Sequence, residues 1–433
     1  MFDPEVETMP RERLAALQLR RLRRTLANAY DNVALHRERM QAIGFHPGDL
    51  RRLSDLLGLP FTFKTDLRDH YPFGMFARPR ESLPRLHASS GTTGKPTVVG
   101  YTKGDLDRWA ALMARSLACG GVRPGDVVHN AYGYGLFTGG LGAHDGATRL
   151  GATVVPMSGG NTEKQIVLIR DFGARVLCST PSYALAIAEE AEKEGIDLRE
   201  SALEVGMFGA EPWSEAMRRE IEARLGLRAI DVYGLSEIMG PGVACECAQA
   251  QAGPHGWEDH FVFEVIDPET LRPVEEGQAG ELVITTLTKE ALPMLRYRTR
   301  DITRITTERC VCGRTHLRLR RITGRTDDML IVRGVNLYPS QVEACLLDVE
   351  GIEPHYQLVV ERVGALDRLA IEIEAKPGRA DSPEAQAAIA EAVRHHVKAM
   401  IGVSTQVLVR PRGSIPRSMG KAVRVRDLRP KIQ

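Results

Sequence analysis

Lysine is scarce in this 433-residue chain: only ten of its 57 basic residues are lysines, so any lysine inside a motif stands out. An excess of charge of one sign is lacking too. With 57 basic against 56 acidic residues the net charge is +1, so no global field draws the chain to nucleic acid or to an anionic membrane, and neither is expected as a partner. No apolar run reaches the ~18 residues that a spanning helix needs, and Met1-Phe2-Asp3-Pro4-Glu5 lacks the basic-then-apolar pattern of a signal peptide. The expected location is the cytoplasm. Seven cysteines, an odd number, exclude a complete disulfide framework and leave thiols or metal ligands. A Walker A loop is missing as well. In Ser89-Ser90-Gly91-Thr92-Thr93-Gly94-Lys95-Pro96 two residues rather than four separate the glycines, and Pro96 follows the lysine.

What that stretch does contain suits phosphate. Its glycines let backbone amides turn toward an anion, four hydroxyls can donate, and Lys95 adds a point charge. The run Thr97 to Tyr101 after it reads as a strand. The length predicts two or three domains, and an apolar content of 43% with 26% charged residues is an ordinary globular balance.

Residues 11 to 43 show helical spacing of Leu14, Leu17, Leu22, Leu26 and Val33, with Arg20, Arg21, Arg23 and Arg24 expected on a solvated face. From about 104 to 235, helices alternate with short apolar runs at 127–130, 152–155, 174–178, 205–208 and 230–233, which predicts a mostly parallel sheet covered on both faces. Ligands gather at the carboxyl ends of such strands, where Gly209-Ala210-Glu211-Pro212 and Gly234-Leu235-Ser236-Glu237 lie. Alternation between 258 and 320 predicts an antiparallel or barrel-like β subdomain. Residues 321–338 read as a junction, and a compact α+β module follows it. The fold class is α/β: a large N-terminal α/β domain over 1–326, and a small mobile α+β domain over 327–433.

In this order, Ser89 to Pro96, Gly209 to Pro212, Tyr233-Gly234-Leu235-Ser236-Glu237, Tyr297 to Asp301, Gly324 to Asp328 and Pro416-Arg417-Ser418-Met419-Gly420-Lys421 resemble the adenylate-forming enzymes, most closely the phenylacetate-CoA ligase branch. The resemblance implies that a carboxylate reacts with ATP to give an acyl-adenylate and pyrophosphate, and that coenzyme A then takes the acyl group. By resemblance, the loop of Ser89, Ser90, Gly91, Thr92, Thr93, Gly94 and Lys95 holds the β- and γ-phosphates. Glu237 holds Mg²⁺, and Lys421 reaches the α-phosphate and the substrate carboxylate. Gly209, Ala210, Glu211, Pro212, Tyr233 and Gly234 enclose adenine; Asp301 accepts from the ribose hydroxyls beside Arg325, although it could also be a structural ion pair. The family's usual Tyr-Gly-x-Thr-Glu has Ser236 in place of threonine, which keeps the hydroxyl. Asp327 matches the hinge about which the C-terminal domain turns, and Gly334 matches a close approach to the pantetheine arm of coenzyme A. The family inclines toward homodimers.

Tyr132, Tyr134 and Phe137 interleaved with Gly139 and Gly140 offer ring faces and space for an aromatic carboxylic acid. Asp145 is out of place in a pocket for plain phenylacetate, which leaves a hydroxylated or amino-substituted aryl acid open. Cysteines and histidines near 245–260 and 310–316 suit a tetrahedral structural Zn²⁺, with Cys247, His255, Cys310 and Cys312 as the expected ligands. Two other readings stay open: an enzyme that loads a different aryl acid or a carrier-protein thiol, and a zinc-stabilised binding protein without catalysis.

Overall fold

Short runs rich in Val, Ile and Leu, each followed by a capped helix, assemble into the sheet that carries the molecule. The computed structural model describes residues 1–89, 96–332, 335–363 and 366–429. Its nine-stranded sheet runs, from one edge, Thr153–Val155, Val127–Asn130, Val176–Ser179, Val205–Gly209 and Arg228–Leu235, all parallel. Gly240–Cys245, His255–Gly256, Arg318–Leu319 and Ile305–Thr306 then continue it antiparallel. The predicted parallel strands are therefore present. Their connecting helices start where side chains satisfy free amides: Thr102 caps Lys103–Cys119 through the amide of Asp105, and Thr180 caps Pro181–Lys193 through that of Tyr183. Trp109, Tyr101 and Met113 fill the space between helix and sheet, with the Tyr101 and Trp109 rings stacked at 5.0 Å.

The predicted first helix is two helices, Arg11–Asn32 and Ala34–Ala42, because Val33 turns extended between them. Its arginine face is only partly solvated: Arg20, Arg23 and Arg24 are exposed, but Arg21 is half-buried against Asp259. The barrel-like expectation resolves to an open antiparallel sheet in the order Phe261–Ile266, Gly280–Thr286, Tyr297–Thr303 and Gly324–Arg325. Four strands ending in a two-residue edge are too few to close, and among the described residues there is no closed barrel.

The smaller C-terminal domain has its own core of Leu358, Val360, Ile371, Val393 and Val397. Its sheet is ordered Gln406–Arg410, Leu366–Ala375, Ile352–Val363, Val425–Asp427, with helices Pro339–Leu347 and Pro383–Ile401 packed on it. It docks on the large domain through charge. Arg417 grips Glu189 of the large domain at 2.7 and 2.8 Å and Glu374 of its own domain at 2.9 and 2.7 Å, while His355 Nε2 stands 3.2 Å from Glu189. Burial works to raise the Glu189 pKa, but His355 and Arg417 overrule it and leave the carboxyl well below its ordinary range. Arg224 to Glu353, at 2.7 Å, is a second contact across the same boundary.

Candidate active site

The carboxyl ends of Val205–Gly209 and Arg228–Leu235 open beside each other, and the backbone there admits little but glycine. A Cβ on Gly209 would lie 2.2 Å from the carbonyl oxygen of Val232, and one on Gly234 2.0 Å from that of Gly240. Next to them Ala210 takes a left-handed conformation, φ +72°. This turn faces a polar cluster. The Tyr233 hydroxyl donates to Asp301 Oδ2 at 2.6 Å, and Arg325 donates to Asp301 Oδ1 at 2.9 Å and to both oxygens of Asp327 at 2.9 and 3.0 Å. Asp301 and Arg325 are register partners on adjacent strands, so the sheet itself sets the pair. Burial pushes the Asp301 carboxyl up, against the pull of Arg325 and Tyr233, whereas at Asp327 burial is overruled by Arg325 and the carboxyl is held down. A buried carboxylate beside a guanidinium can accept the two hydroxyls of a diol.

Glu237 is buried, with Lys64 Nζ 3.3 Å from its Oε1. Behind it lies Lys289, 2% exposed, whose ammonium donates to the backbone carbonyl of Glu237 at 3.2 Å and sits 4.8 Å over the Tyr101 ring. Burial pushes Lys289 down to about 8, with Asp105 and Glu237 drawing it the other way. Neither Lys64 nor Lys289 was expected at the site, though the scarcity of lysine made both visible. Ser236 turns its hydroxyl to Thr138 at 3.0 Å.

An apolar cavity lies beneath the turn, lined among others by Met113, Tyr132, Phe137, Met207, Leu235 and Pro241. Among the described residues, no charged side chain lines it. Tyr132, Phe137 and Gly139 are therefore at the cavity as expected, whereas Tyr134 and Gly140 stand behind it: Tyr134 accepts from Asn130 at 2.7 Å, and a Cβ on Gly140 would meet the carbonyl of Gly133 at 2.5 Å. Asp145, expected to colour the pocket, does not line it; Arg85 neutralises it at 2.6 Å. The methionines and Pro241 were missed because they come from three separate elements, which no local pattern joins.

The lysine loop arrives from the C-terminal domain. Thr180 donates to the carbonyl of Gly420 at 2.9 Å, and Glu211 accepts from the amide of Ala422 at 2.7 Å, which brackets Lys421. The Lys421 charge is felt at Asp301, whose acidity it increases. In the glycine-rich loop only Ser89 is described, following the strand Arg85–Ala88 with its amide donating to the carbonyl of Thr97 at 3.0 Å; Ser90, Gly91, Thr92, Thr93, Gly94 and Lys95 lie outside the described residues, as does Gly334.

A separate cluster stands at the far antiparallel edge. Cys247 Sγ is 3.7 Å from Cys310 Sγ, Cys312 Sγ is 3.4 Å from His255 Nε2, and all four candidate ligand atoms lie within 4.8 Å of one another. Two thiolates on a tetrahedral zinc at ~2.3 Å stand about 3.8 Å apart, so the spacing fits. The other ring nitrogen of His255 faces the carbonyl of His316 at 3.4 Å, which aims Nε2 at the sulfurs. The hydrogen bond from Cys247, and then His255, hold the Cys312 thiol low.

Residues 82–288 match the family described as AMP-binding enzyme, and residues 334–429 its C-terminal domain. The fold and site therefore define an adenylate-forming enzyme. Phenylacetate-coenzyme A ligases of Escherichia coli and Thermus thermophilus are 55% and 53% identical, each over 99% of this chain and over 98% and 100% of their own lengths. The chain belongs to the phenylacetate-CoA ligase branch of that family. Among solved structures, 2-hydroxyisobutyryl-CoA ligase in the postadenylation state with 2-HIB-AMP superposes with a TM-score of 0.93, at 31% identity over 98% of this chain and 91% of the other. The same ligase in the thioesterification state, with CoA, scores 0.74. The whole chain thus superposes better on the postadenylation structure than on the thioesterification one.

Proposed function

We propose that the chain is an ATP-dependent, AMP-forming phenylacetate-CoA ligase. The observation that carries this reading is the uncharged cavity opening beside the Asp301–Tyr233–Arg325 cluster, under a lid that presents Lys421. An apolar chamber accepts the aryl ring, leaving the carboxylate at the polar mouth. One carboxylate oxygen attacks the α-phosphorus, the bond to the β-phosphate oxygen breaks, and pyrophosphate leaves. Two anions approach in this step, so positive charge is needed most at the α-phosphate, where Lys421 supplies it. Asp301 binds the ribose with Arg325 beside it; the Gly209–Pro212 turn and Tyr233 hold adenine; Ser89 and the loop through Lys95 hold the outer phosphates. Glu237, with Ser236 beside it, is the residue that would hold Mg²⁺, whose chemistry is to neutralise the polyphosphate. In the second half-reaction the thiol of coenzyme A attacks the carbonyl carbon, loses its proton, and AMP departs. Residues 1–326 form the adenylation and substrate domain and 327–433 the lid, turning at Asp327 with Gly334 beside the pantetheine arm.

The reading also takes Cys247, His255, Cys310 and Cys312 as ligands of a structural Zn²⁺, away from the chemistry. It takes the protein as a cytoplasmic homodimer without nucleic-acid or membrane partners, which the near-neutral charge supports; among the described residues no helix is long and apolar enough to cross a membrane.

Acid-dependent release of pyrophosphate, followed by CoA-dependent release of AMP, is expected with phenylacetate. Pyrophosphate release with only other acids, or acyl transfer to a carrier protein but not to coenzyme A, overturns the assignment. Elemental analysis of the purified chain tests the metal, with about one zinc per chain expected.

A further inference from the structure

The loop after Thr153–Val155 carries three left-handed residues within four positions: Ser158 at φ +70°, Gly160 at +88° and Asn161 at +49°. It is held from below. Gln165, fully buried and tied to His129, donates to the carbonyls of Ser158 at 2.7 Å and Gly160 at 2.8 Å, and the Tyr183 hydroxyl donates to Gly160 at 2.9 Å. So anchored, the loop has little room to retreat. Between its left-handed residues sits Gly159, whose own φ lies outside the left-handed region, so the backbone alone does not require glycine there. A Cβ on Gly159 would lie 2.7 Å from the carbonyl oxygen of Met419, two residues before Lys421. Among the described residues, the nearest atom it would meet in the large domain is the Ala131 carbonyl at 3.6 Å, an ordinary contact.

We propose that Gly159 is a positioning residue for adenylation alone, forming with Thr180 and Glu211 a three-point seat for the backbone around Lys421. The Thr180–Gly420 and Glu211–Ala422 bonds hold the backbone on either side of Lys421, and the bare α-carbon of Gly159 lets Met419, just before them, come down to full depth. A side chain there obstructs only the closed lid. Once the lid turns away, Met419 is gone from this position and an alanine meets nothing closer than 3.6 Å among the described residues of its own domain. The inference rests on the functional reading above, in that it takes Lys421 to serve the first half-reaction and the lid to rotate for the second.

The test separates the halves in wild type, Gly159→Ala and Gly159→Val. Acid-dependent exchange of pyrophosphate into ATP reads adenylation; thioester formation from supplied phenylacetyl-adenylate and coenzyme A reads the second half. We expect exchange to fall by about tenfold to a hundredfold in Gly159→Ala and further in Gly159→Val, with thioester formation within about twofold of wild type. Equal loss in both halves, or no loss in either, overturns the seat. Absence of exchange in the wild type with any aryl acid instead overturns the functional reading itself, and the seat falls with it.

Discussion

Asp301 and Lys421 face the same candidate site but are held differently. Asp301 is 6% exposed, fixed by Tyr233 and Arg325 and by the pairing of its strand, so its geometry is set when the large domain folds. Lys421 is exposed, and what fixes it is the docking of its neighbours Gly420 and Ala422 onto Thr180 and Glu211 of the other domain. On the roles proposed above, the difference gives permanence to the nucleotide-binding side and reversibility to the charge brought in for adenylation. Two half-reactions with different partners need that division.

The sharpest way to break the contrast is Lys421→Ala. Pyrophosphate exchange should fall by about a hundredfold to a thousandfold while thioester formation from supplied adenylate persists; equal losses would mean that the lysine serves both steps. Asp301→Asn should behave in the opposite manner. Steady-state kinetics of the two half-reactions should show both weakened, by about tenfold to a hundredfold, with a raised KM for ATP, because the ribose acceptor stays in place throughout. Arg417→Lys keeps the charge but loses the fork that spans Glu189 and Glu374, and about a fivefold loss confined to adenylation is expected, growing with ionic strength.

The smallest effect concerns Lys289, whose pKa is lowered to about 8 in the fold from an ordinary 10.5. Between those pH values the unfolded chain binds a proton that the folded chain does not, so this residue's contribution to stability rises with pH across that window. Urea midpoints of wild type minus those of Lys289→Met should therefore increase from pH 8 to about 10.5 and be flat below pH 7. A flat difference throughout would show that the lysine remains charged in its pocket.

Much of the frame was legible because it is local. Apolar runs at 127–130 and 205–208 sit between helical patterns, and both are strands of the parallel sheet; the α+β module expected after the junction carries the long helix Pro383–Ile401. The four proposed zinc ligands, drawn from two stretches more than fifty residues apart, do converge. Other features depend on contacts that no spacing encodes. Asp145 looked like a pocket residue until Arg85, sixty residues earlier, was found against it. Likewise Glu189 is one glutamate among several on its helix, and only the docked lid singles it out. The break at Val33 and the open edge at Gly324–Arg325 were lost for a related reason: alternation and amphipathic spacing report which face is buried, not where an element ends or whether a sheet closes.

Arg325 divides one guanidinium between Asp301, on the nucleotide side, and Asp327, at the expected pivot of the lid. With Asp327 as the proposed pivot, turning the lid would withdraw Asp327 and, with it, Asp328, which stands 3.6 Å from the same guanidinium. The N–H groups that Asp327 had occupied are then free to face Asp301 and the diol it holds. Departure of the lid would accordingly strengthen the grip on the adenylate at the moment when its escape would be most wasteful, so that the intermediate waits in place for its thiol.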